Sequence, residues 1–436
     1  MLLKYILNEI SKDAIALEYL SDLVKSGPFK NKAFLAGGSP RDMQLGLSPH
    51  DLDVVIKGDI NAGIDFAKWA TEEIGRRTGK KIHAPVIFPT FGTAKFTLSG
   101  VNYKGHDLSD VDVECVAPRK EKYTSGNRKP EVSSGELKDD VFRRDFLVNS
   151  LLYDLTSGET LDLTGMGKND IKKGIIRTPL DPNITFKEDP LRILRCIRFS
   201  AKYNWKLPMF MIRAVKKNAP QLKNISRERI QVEIDKILLT DRATQSMRLL
   251  KILGLMPYVF SDLTDKPKEE YNLLKYLPKD IPNRLAGIFS EAGSDIAEKN
   301  LRETKYDLNT IKNVSTILDY FREFFNKNAF SDETVRDELS TLGEAKYNTV
   351  LSFAKGYASY KGTGLDADGL SLKAKEQSQI MSQHPFPITG QDLIDQGLNP
   401  GPVFKTLLDL VRKMYIKNPE TPKETYFDVI KKQMQK

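Results

Sequence analysis

Two aspartates, Asp51 and Asp53, stand at a spacing that brings carboxylates together. They belong to the run DLDVVI (51–56), whose β-branched residues predict a strand. Because side chains of a strand alternate between its two faces, residues i and i+2 project to the same side. Mg²⁺ binds such hard oxygen ligands together with substrate phosphates and keeps several waters. The spacing therefore predicts a magnesium site with Asp51 and Asp53 as ligands.

A glycine pair, Gly37-Gly38, precedes these aspartates and follows a short apolar strand at 33–36. A helix is predicted to open at Ser39-Pro40, and bare backbone N–H groups at such a turn favour an anion such as a triphosphate. Taken alone, a glycine pair is usually only a turn, and spaced aspartates are usually a solvated strand edge. Together, in this order, they predict a phosphate cradle and a metal site on one strand-turn-helix-strand unit.

The stretch AFLAGGSPRDMQLGLSPHDLDVVIK (33–57) resembles the head of the class II tRNA nucleotidyltransferase and bacterial poly(A) polymerase family. That family's signature is a GG-x-x-R-D turn followed by D-x-D. The resemblance implies that Asp51 and Asp53 are catalytic metal ligands and that Gly37, Gly38 and Arg41 bind the nucleotide. Ser39-Pro40 and His50 depart from the family's commoner residues.

A third carboxylate is expected from the strand-like run DVDVECVA (110–117). Asp112 and Glu114 share a face of that strand, so either could join the aspartate pair. The resemblance favours Glu114 as a catalytic residue, because it stands five residues before Arg119 as in the family. The Lys- and Arg-rich stretch 119–130 that follows predicts a mobile loop over the site.

Residues 138–154, KDDVFRRDFLVNSLLYD, predict a helix running into a strand. The triplet Arg143-Arg144-Asp145 with Asn149 resembles the family's second motif, R-R-D-F-T-x-N-A, with Leu147 in place of threonine. The resemblance assigns these four residues to nucleotide binding. An arginine near the metal can neutralise triphosphate charge, and Asp145 can orient that arginine or bind ribose. An isolated triplet of this kind would more often be a surface ion pair.

The run EDPLRILRCIRF (188–199) predicts a helix start at Pro190 and resembles the family motif EDxxRxxRxxR. Cytosine and adenine both present an amine donor beside a ring-nitrogen acceptor, whereas uracil and guanine present the reverse polarity. A carboxylate and a guanidinium fit the first pattern. Asp189 and Arg192 are therefore expected to select the base, and Arg195 and Arg198 to reach phosphate.

Composition narrows the class of protein. The 436 residues carry 67 Lys and Arg against 58 Asp and Glu, a net charge of +9 that suits a polyanionic partner. Two cysteines, Cys115 and Cys196, form neither a disulfide framework nor a zinc motif. The N-terminal stretch resembles neither a signal nor a transit peptide, and no apolar run approaches the length of a membrane span. We expect a cytoplasmic protein that does not interact with membranes.

The expected fold is α+β, with a polymerase-β-like nucleotidyltransferase head, a mixed sheet with helices, followed by an all-helical neck, body and tail. The resemblance extends to a neck helix at 225–240 and a tail motif at 388–411. The expected divisions are a catalytic head at 1–155, a base-selecting neck at 156–245, a body at 246–370 and a tRNA-binding tail at 371–436.

The resemblance implies addition of C and A from CTP and ATP to the 3′ end of tRNA, with two Mg²⁺ ions. The alternatives are a poly(A) polymerase acting on other RNA, an enzyme that adds only CC or only A, and a catalytically dead RNA-binding protein. Intact Asp51 and Asp53 argue against the last. The sequence does not indicate an oligomeric state.

Overall fold

A computed structural model describes residues 11–89, 92–122, 131–263, 268–326 and 330–434. The chain divides into two compact units, each with its own internal packing. The first ends at Ser226 and also includes Leu253–Tyr258, and the second comprises Arg227–Ile252 with all residues from Val259 onward. The finer division into head, neck, body and tail stays a prediction.

The first unit contains a seven-stranded mixed sheet in the order β11-β10-β1-β2-β7-β4-β3. Only the pairing of β2 with β7 is parallel, and it places Asp53 opposite Glu114. Two hairpins, β5/β6 and β8/β9, stand apart from this sheet. Numbered in chain order, the strands are β1 Ala33–Leu35, β2 Leu52–Ile56, β3 Val86–Phe88, β4 Thr93–Thr97, β5 Asn102–Tyr103, β6 His106–Asp107, β7 Asp112–Val116, β8 Arg119–Lys122, β9 Glu131–Ser134, β10 Leu152–Asp154 and β11 Thr160–Leu161.

Helices cover the sheet, and in the described part of the chain every element beyond β11 is helical. The prediction of an all-helical neck from residue 156 is wrong for β11, because Thr160–Leu161 pairs with β10 at the edge of the head sheet. The first unit holds α1 Lys12–Lys25, α2 Ser39–Gln44, α3 Ala62–Thr78, α4 Leu137–Phe142, α5 Gly167–Lys173, α6 Pro182–Glu188, α7 Leu191–Tyr203 and α8 Met209–Asn218. The remaining helices are α9 Arg227–Leu238, α10 Ala243–Ile252, α11 Met256–Val259, α12 Ile281–Phe289, α13 Ser294–Glu303, α14 Leu308–Asn326, α15 Asp332–Leu342, α16 Glu344–Lys361, α17 Ala367–Gln383, α18 Gly390–Asp395, α19 Pro402–Lys417 and α20 Lys423–Met434. This arrangement confirms the predicted α+β class.

Strand alternation decides which side of the sheet carries the site. On β2, Leu52, Val54 and Ile56 point into a large apolar core formed with α1 and α3. Val55 points the other way, into a smaller core with Phe34 on β1. Asp53 has the same parity as Val55 and therefore emerges on the side of the smaller core, where α4 packs.

The predicted loop at 119–130 lies largely outside the described residues, which resume at Glu131. Its two flanks, β8 and β9, pair as an antiparallel hairpin with Arg119 opposite Ser134. Among the described helices, none has the length and apolar character needed to cross a membrane.

The second unit contains a distinct apolar core near its C-terminal end, built from α18, α19 and α20 around Leu393, Val411 and Tyr426. A capping box of Thr389 and Asp392 starts α18 and fixes the entry of the predicted tail motif. Arg336 of α15, which is buried, donates to the carbonyls of Ile416 (2.6 Å) and Lys417 (2.9 Å) at the end of α19. The body and tail stretches thus share buried polar contacts.

Candidate active site

Asp51 and Asp53 lie at the N-terminal end of β2, but their backbone conformations differ. Asp53 lies within the strand, whereas Asp51 precedes it with φ +56°. The prediction that one strand carries both residues is therefore wrong for Asp51. The left-handed backbone at this position breaks the strand alternation on which the i, i+2 argument relied.

The glycine turn lies so close to charged side chains that it leaves little room for a Cβ atom. Gly37 has φ +75°, and a Cβ there would lie 2.8 Å from Oδ2 of Asp53. A Cβ on Gly38 would lie 3.0 Å from Nη2 of Arg41. A side chain at Gly37 would therefore displace the Asp53 carboxylate, and the turn places its backbone directly beside that carboxylate.

The Asp53 carboxyl lies in an environment that disfavours its charge. Burial raises its pKa to about 6, the charges of Glu114 and Asp51 add to the rise, and Arg144 opposes it. A cation beside this carboxyl would relieve the repulsion, so Asp51 and Asp53 fit a Mg²⁺ ion that completes its shell with water and substrate phosphate. Within the described part of the chain, no group of three or more His, Cys, Asp or Glu side chains is arranged to hold a metal on its own.

The two candidates for a third carboxylate lie in different surroundings. Asp112 forms an ion pair with Lys95 (2.8 Å) and accepts a hydrogen bond from Thr97 (2.7 Å), which lowers its pKa. Glu114 is exposed, faces Asp53 across the β2/β7 pairing and raises the pKa of Asp53. The geometry thus places Glu114 beside Asp53, whereas Asp112 pairs with Lys95.

Arg41, expected to bind the nucleotide, is buried and held by protein groups. Its guanidinium donates to both oxygens of Asp42 (2.8 and 2.9 Å) and to Oδ1 of Asn149 (2.5 Å). The hydroxyl of Tyr203 on α7 also donates to Asp42 (3.0 Å), and the guanidinium lies over the Tyr203 ring at 4.9 Å. These contacts tie the helix after the glycine turn to α7.

Arg143 and Arg144 follow α4 rather than lying within it, because that helix ends at Phe142. The predicted helix and strand are both present, as α4 and β10, and the motif lies in the segment that connects them. Both arginines pair with the fully buried Asp140: Arg143 through Nε at 3.0 Å and Arg144 through Nη2 at 2.8 Å. The carboxylate of Asp140 thus fixes two guanidinium groups, one of which acts electrostatically on Asp53.

We expect Asp140→Asn to lower the free energy of unfolding by about 2–4 kcal/mol at pH 7, because two partly buried arginines lose the negative charge of Asp140. Burial alone would raise the pKa of Asp140, but Arg144 and Arg143 outweigh it, and the pKa lies below 3.8. The stabilisation is therefore present above the unfolded-state pKa and is lost as the pH falls through the lower folded-state pKa. Urea unfolding at pH 7 and at pH 3.5 would measure this: the difference in the free energy of unfolding between the wild type and Asp140→Asn should be smaller at the lower pH.

The matched control is Asp112→Asn, which breaks an exposed ion pair with Lys95 and should cost no more than about 1 kcal/mol. Equal losses for the two variants would contradict the role given to Asp140.

Asp145 is buried and joins the same motif to α7. Its Oδ2 accepts from Nε (2.8 Å) and Nη2 (2.7 Å) of Arg195, and its Oδ1 accepts from the amide of Asn149 (2.9 Å). Burial opposes ionisation, yet the charge of Arg195 leads the effects that lower the pKa of Asp145. Asp145, expected to orient an arginine of its own triplet, pairs instead with Arg195, whereas Arg143 and Arg144 pair with Asp140.

Of the two residues expected to select the base, only Arg192 lies in a helix. Asp189 lies between α6 and α7, where its Oδ1 accepts from the N–H of Leu191 (3.2 Å). Arg192, in the first turn of α7, is buried and donates to the carbonyl of Arg143 (2.8 Å) and to Oε2 of Glu188 (3.2 Å). The predicted helix start at Pro190 is confirmed, and Asp189 precedes the helix in an extended conformation.

Arg195 and Arg198 share an aromatic partner. Their guanidinium carbons lie 5.5 and 4.4 Å from the ring centre of Phe199. The guanidinium carbon of Arg41 lies 5.2 Å from the same ring centre. One buried ring thus contacts three guanidinium groups.

Four contributors were missed by sequence reasoning: Asp140, Tyr203, Phe199 and Ser39, whose hydroxyl contacts the backbone at His50 and Asp51. Asp140 precedes Arg144 by four residues, a helical spacing that could have indicated the pair. The other three depend on contacts between segments distant in sequence.

Comparison with known proteins agrees with this geometry. Residues 33–177 match the poly A polymerase head domain, and residues 211–266 match the probable RNA and SrmB-binding site of polymerase A. The chain is 33% identical over 278 residues to tRNA nucleotidyltransferase cca1 of Schizosaccharomyces pombe, covering 59% of this chain and 51% of that protein. It is 27% identical over 395 residues to the CCA-adding enzyme of Ligilactobacillus salivarius, covering 88% and 87%.

Among solved structures, the CCA-adding enzyme of Bacillus stearothermophilus in complex with CTP aligns over 97% of this chain and 98% of its own, with a TM-score of 0.73 and 21% identity. That likeness establishes the fold. The match spans about half the length of the fission yeast relative. The head motif at 33–177, the helical region at 211–266 and the fold thus each resemble the class II tRNA nucleotidyltransferase and bacterial poly(A) polymerase family.

Proposed function

We propose that this chain adds C and A nucleotides from CTP and ATP to the 3′ end of tRNA. The observation that carries the proposal is the juxtaposition of Asp53 with Gly37, Glu114 and Arg144 in one unit. Carboxylates for a metal, a backbone turn for phosphate and a cation for triphosphate charge are the parts that nucleotidyl transfer needs.

In the reaction, the 3′ hydroxyl of the RNA bonds to the α-phosphorus of the nucleotide while the bond to pyrophosphate breaks. Asp51 and Asp53 would hold Mg²⁺, with Glu114 beside them. We propose two Mg²⁺ ions. When bound, they would activate the attacking hydroxyl and neutralise the negative charge that develops on the leaving pyrophosphate. Arg144 and Arg143 would face the triphosphate, positioned by Asp140.

Base choice is assigned to the start of α7. The carboxylate of Asp189 would accept the exocyclic amine shared by cytosine and adenine, and the guanidinium of Arg192 would donate to the ring nitrogen. Arg195 and Arg198, held over Phe199, would then reach phosphate. Arg41, Asp145 and Asn149 would hold this helix against the glycine turn through their buried hydrogen bonds.

Two alternatives within the family remain to be separated by experiment. Residues 33–177 match a head domain that is named after poly A polymerase. The second candidate function is therefore polymerisation of ATP onto other RNA. Addition of only CC or only A uses the same catalytic residues.

The deciding experiment incubates the purified chain and Mg²⁺ with CTP, ATP or both, and with tRNA ending at the discriminator base, tRNA ending in CC, or oligo(A). With both CTP and ATP present, we expect the tRNA that ends at the discriminator base to gain three nucleotides and the tRNA that ends in CC to gain one. Oligo(A) as the best substrate would establish the polymerase alternative, and extension of only one of the two tRNAs would establish a partial activity.

If tRNA is the substrate, we expect the second unit to contact its phosphate groups. Lys405 and Lys413 of α19 are exposed, and the double variant Lys405→Glu/Lys413→Glu should raise the KM for full tRNA several-fold, with a reduced salt dependence. A short acceptor-stem minihelix should be affected much less. Point variants are preferable to truncating the tail, because Arg336 would lose its buried acceptors.

The control places the same charge change on the first unit, at the exposed Lys30 and Lys32. An equal effect of both double variants on full tRNA would contradict a tRNA surface on α19.

A further inference from the structure

One buried hydroxyl connects the glycine turn to the segment that carries Asp51. The β1/β2 ladder ends near Ala36, whose N–H donates to the carbonyl of Asp53 (2.8 Å). Beyond that point the chain turns away at Gly37, and the side chain of Ser39 makes the next connection. Ser39 is only 1% exposed.

The Ser39 hydroxyl contacts both peptide groups around Asp51. Its Oγ accepts from the N–H of His50 (3.1 Å). Its proton is shared between two acceptors, the carbonyl of Asp51 (3.0 Å) and the carbonyl of His50. A single hydroxyl thus satisfies backbone groups on each side of the residue whose carboxylate is expected to bind metal.

Asp51 has φ +56°, a left-handed conformation that residues with a Cβ adopt reluctantly. Such conformations persist only where surrounding contacts over-determine them, and they concentrate at functional sites. Here the segment is fixed at Ser39 on one side and at the Ala36–Asp53 hydrogen bond on the other. Without the hydroxyl, Asp51 has less to hold it in this conformation, and its carboxylate would move relative to that of Asp53.

We propose that Ser39 is a positioning residue for the metal site. Its hydroxyl holds Asp51 left-handed, so that the two carboxylates meet at one point although only Asp53 lies in the strand. This inference rests on the proposed function for its catalytic consequence, but the metal-binding step can be tested independently.

The test measures Mn²⁺ binding to the full chain by electron paramagnetic resonance of the free ion. Ser39→Ala should weaken Mn²⁺ binding by about tenfold or more, because a hydrogen bond and a strained backbone conformation are lost together. The same variant should speed hydrogen exchange at the His50 amide. In transfer assays, the Mg²⁺ concentration for half-maximal rate should rise by a similar factor, with the KM for tRNA unchanged.

Ser150→Ala is the matched control. Ser150 is fully buried, and its hydroxyl contacts the carbonyls of Val141 and Phe146, each at 3.0 Å. Its loss should lower stability as much as Ser39→Ala does, without weakening Mn²⁺ binding. Ser39→Cys, which keeps the side-chain volume and a weak donor, should fall between the wild type and Ser39→Ala and guards against a folding defect in the latter.

Unchanged Mn²⁺ binding in Ser39→Ala, equal weakening in Ser150→Ala, or a wild-type protein that does not bind Mn²⁺ would overturn the proposal. A wild-type protein that binds Mn²⁺ with the expected dependence on Ser39 but transfers no nucleotide would overturn the proposed function alone.

Discussion

Asp53→Asn is expected to lower nucleotide transfer by about a thousandfold or more and, in the same protein, to increase stability at neutral pH. The loss of activity follows because an amide keeps the shape of the side chain but removes the charge that holds the metal, whose effect on the barrier is several kcal/mol. The gain in stability follows because the carboxylate of Asp53 is partly buried beside Glu114 and Asp51. A residue that only supported the fold would not show opposite effects on activity and stability.

The sign of the stability effect depends on pH. The folded-state pKa of Asp53 is raised from 3.8 to about 6, so the folded protein binds more protons than the unfolded chain between these values. The contribution of Asp53 to stability is therefore lost as the pH rises through this window, at a cost that reaches about 3 kcal/mol above pH 6. Thermal unfolding without metal at pH 4 and pH 7.5 should show Asp53→Asn more stable than the wild type only at the higher pH.

Asp112→Asn is the control, since Asp112 is a strand aspartate in the same sheet that pairs with Lys95. It should retain activity and show no stability gain at pH 7.5. If Asp53→Asn kept near-normal rates with Mg²⁺, the assignment of the metal site to Asp53 would be wrong.

The sequence was informative where spacing alone determines proximity. Asp53, Gly37 and Gly38 lie on adjacent segments, so strand alternation and turn geometry were enough to bring them together. Strand alternation did not reveal that Asp51 stands outside the strand with positive φ, because nothing in the local pattern signals the hydroxyl of Ser39 holding it.

Burial of charged groups was the least predictable feature. Arg41 is buried against its neighbour Asp42, although adjacent helix residues do not normally face each other. The pair can be buried because Asn149 and Tyr203, more than a hundred residues away, complete its hydrogen bonds. Such a network is a property of the fold, and helical periodicity contains no information about it.

The second unit shows the same limit on a larger scale. The prediction of an all-helical body and tail is confirmed in the described residues, since the periodicity of a helix reflects only its one apolar face. Which helices contact one another depends on links such as the one from Arg336 to the carbonyl of Ile416, 80 residues apart. Periodicity therefore predicted the helices of this unit but not how they pack.

Asp189→Asn is expected to lower the preference for CTP over UTP, measured as the ratio of kcat/KM values, by about 10- to 100-fold. The amide replaces one acceptor by an N–H donor, which opposes the exocyclic amine of cytosine and adenine and suits the carbonyl of uracil. The substitution is mild structurally, because the amide oxygen can still accept from the N–H of Leu191 at the start of α7. Arg192 is a poorer target, since its loss would leave Glu188 and the carbonyl of Arg143 without their buried donor.

Asp181→Asn provides the matched control for base selection. Asp181 caps the preceding helix, α6, by accepting from the N–H of Asn183 (2.7 Å), so the same chemical change is made at a helix start in the same unit. Competition assays with all four nucleotides should show altered ratios only for Asp189→Asn, with ATP over GTP falling alongside CTP over UTP because adenine shares the donor–acceptor pattern of cytosine. Unchanged ratios in Asp189→Asn would show that the start of α7 does not select the base, whereas changes confined to one nucleotide pair would show that C and A are recognised by different groups.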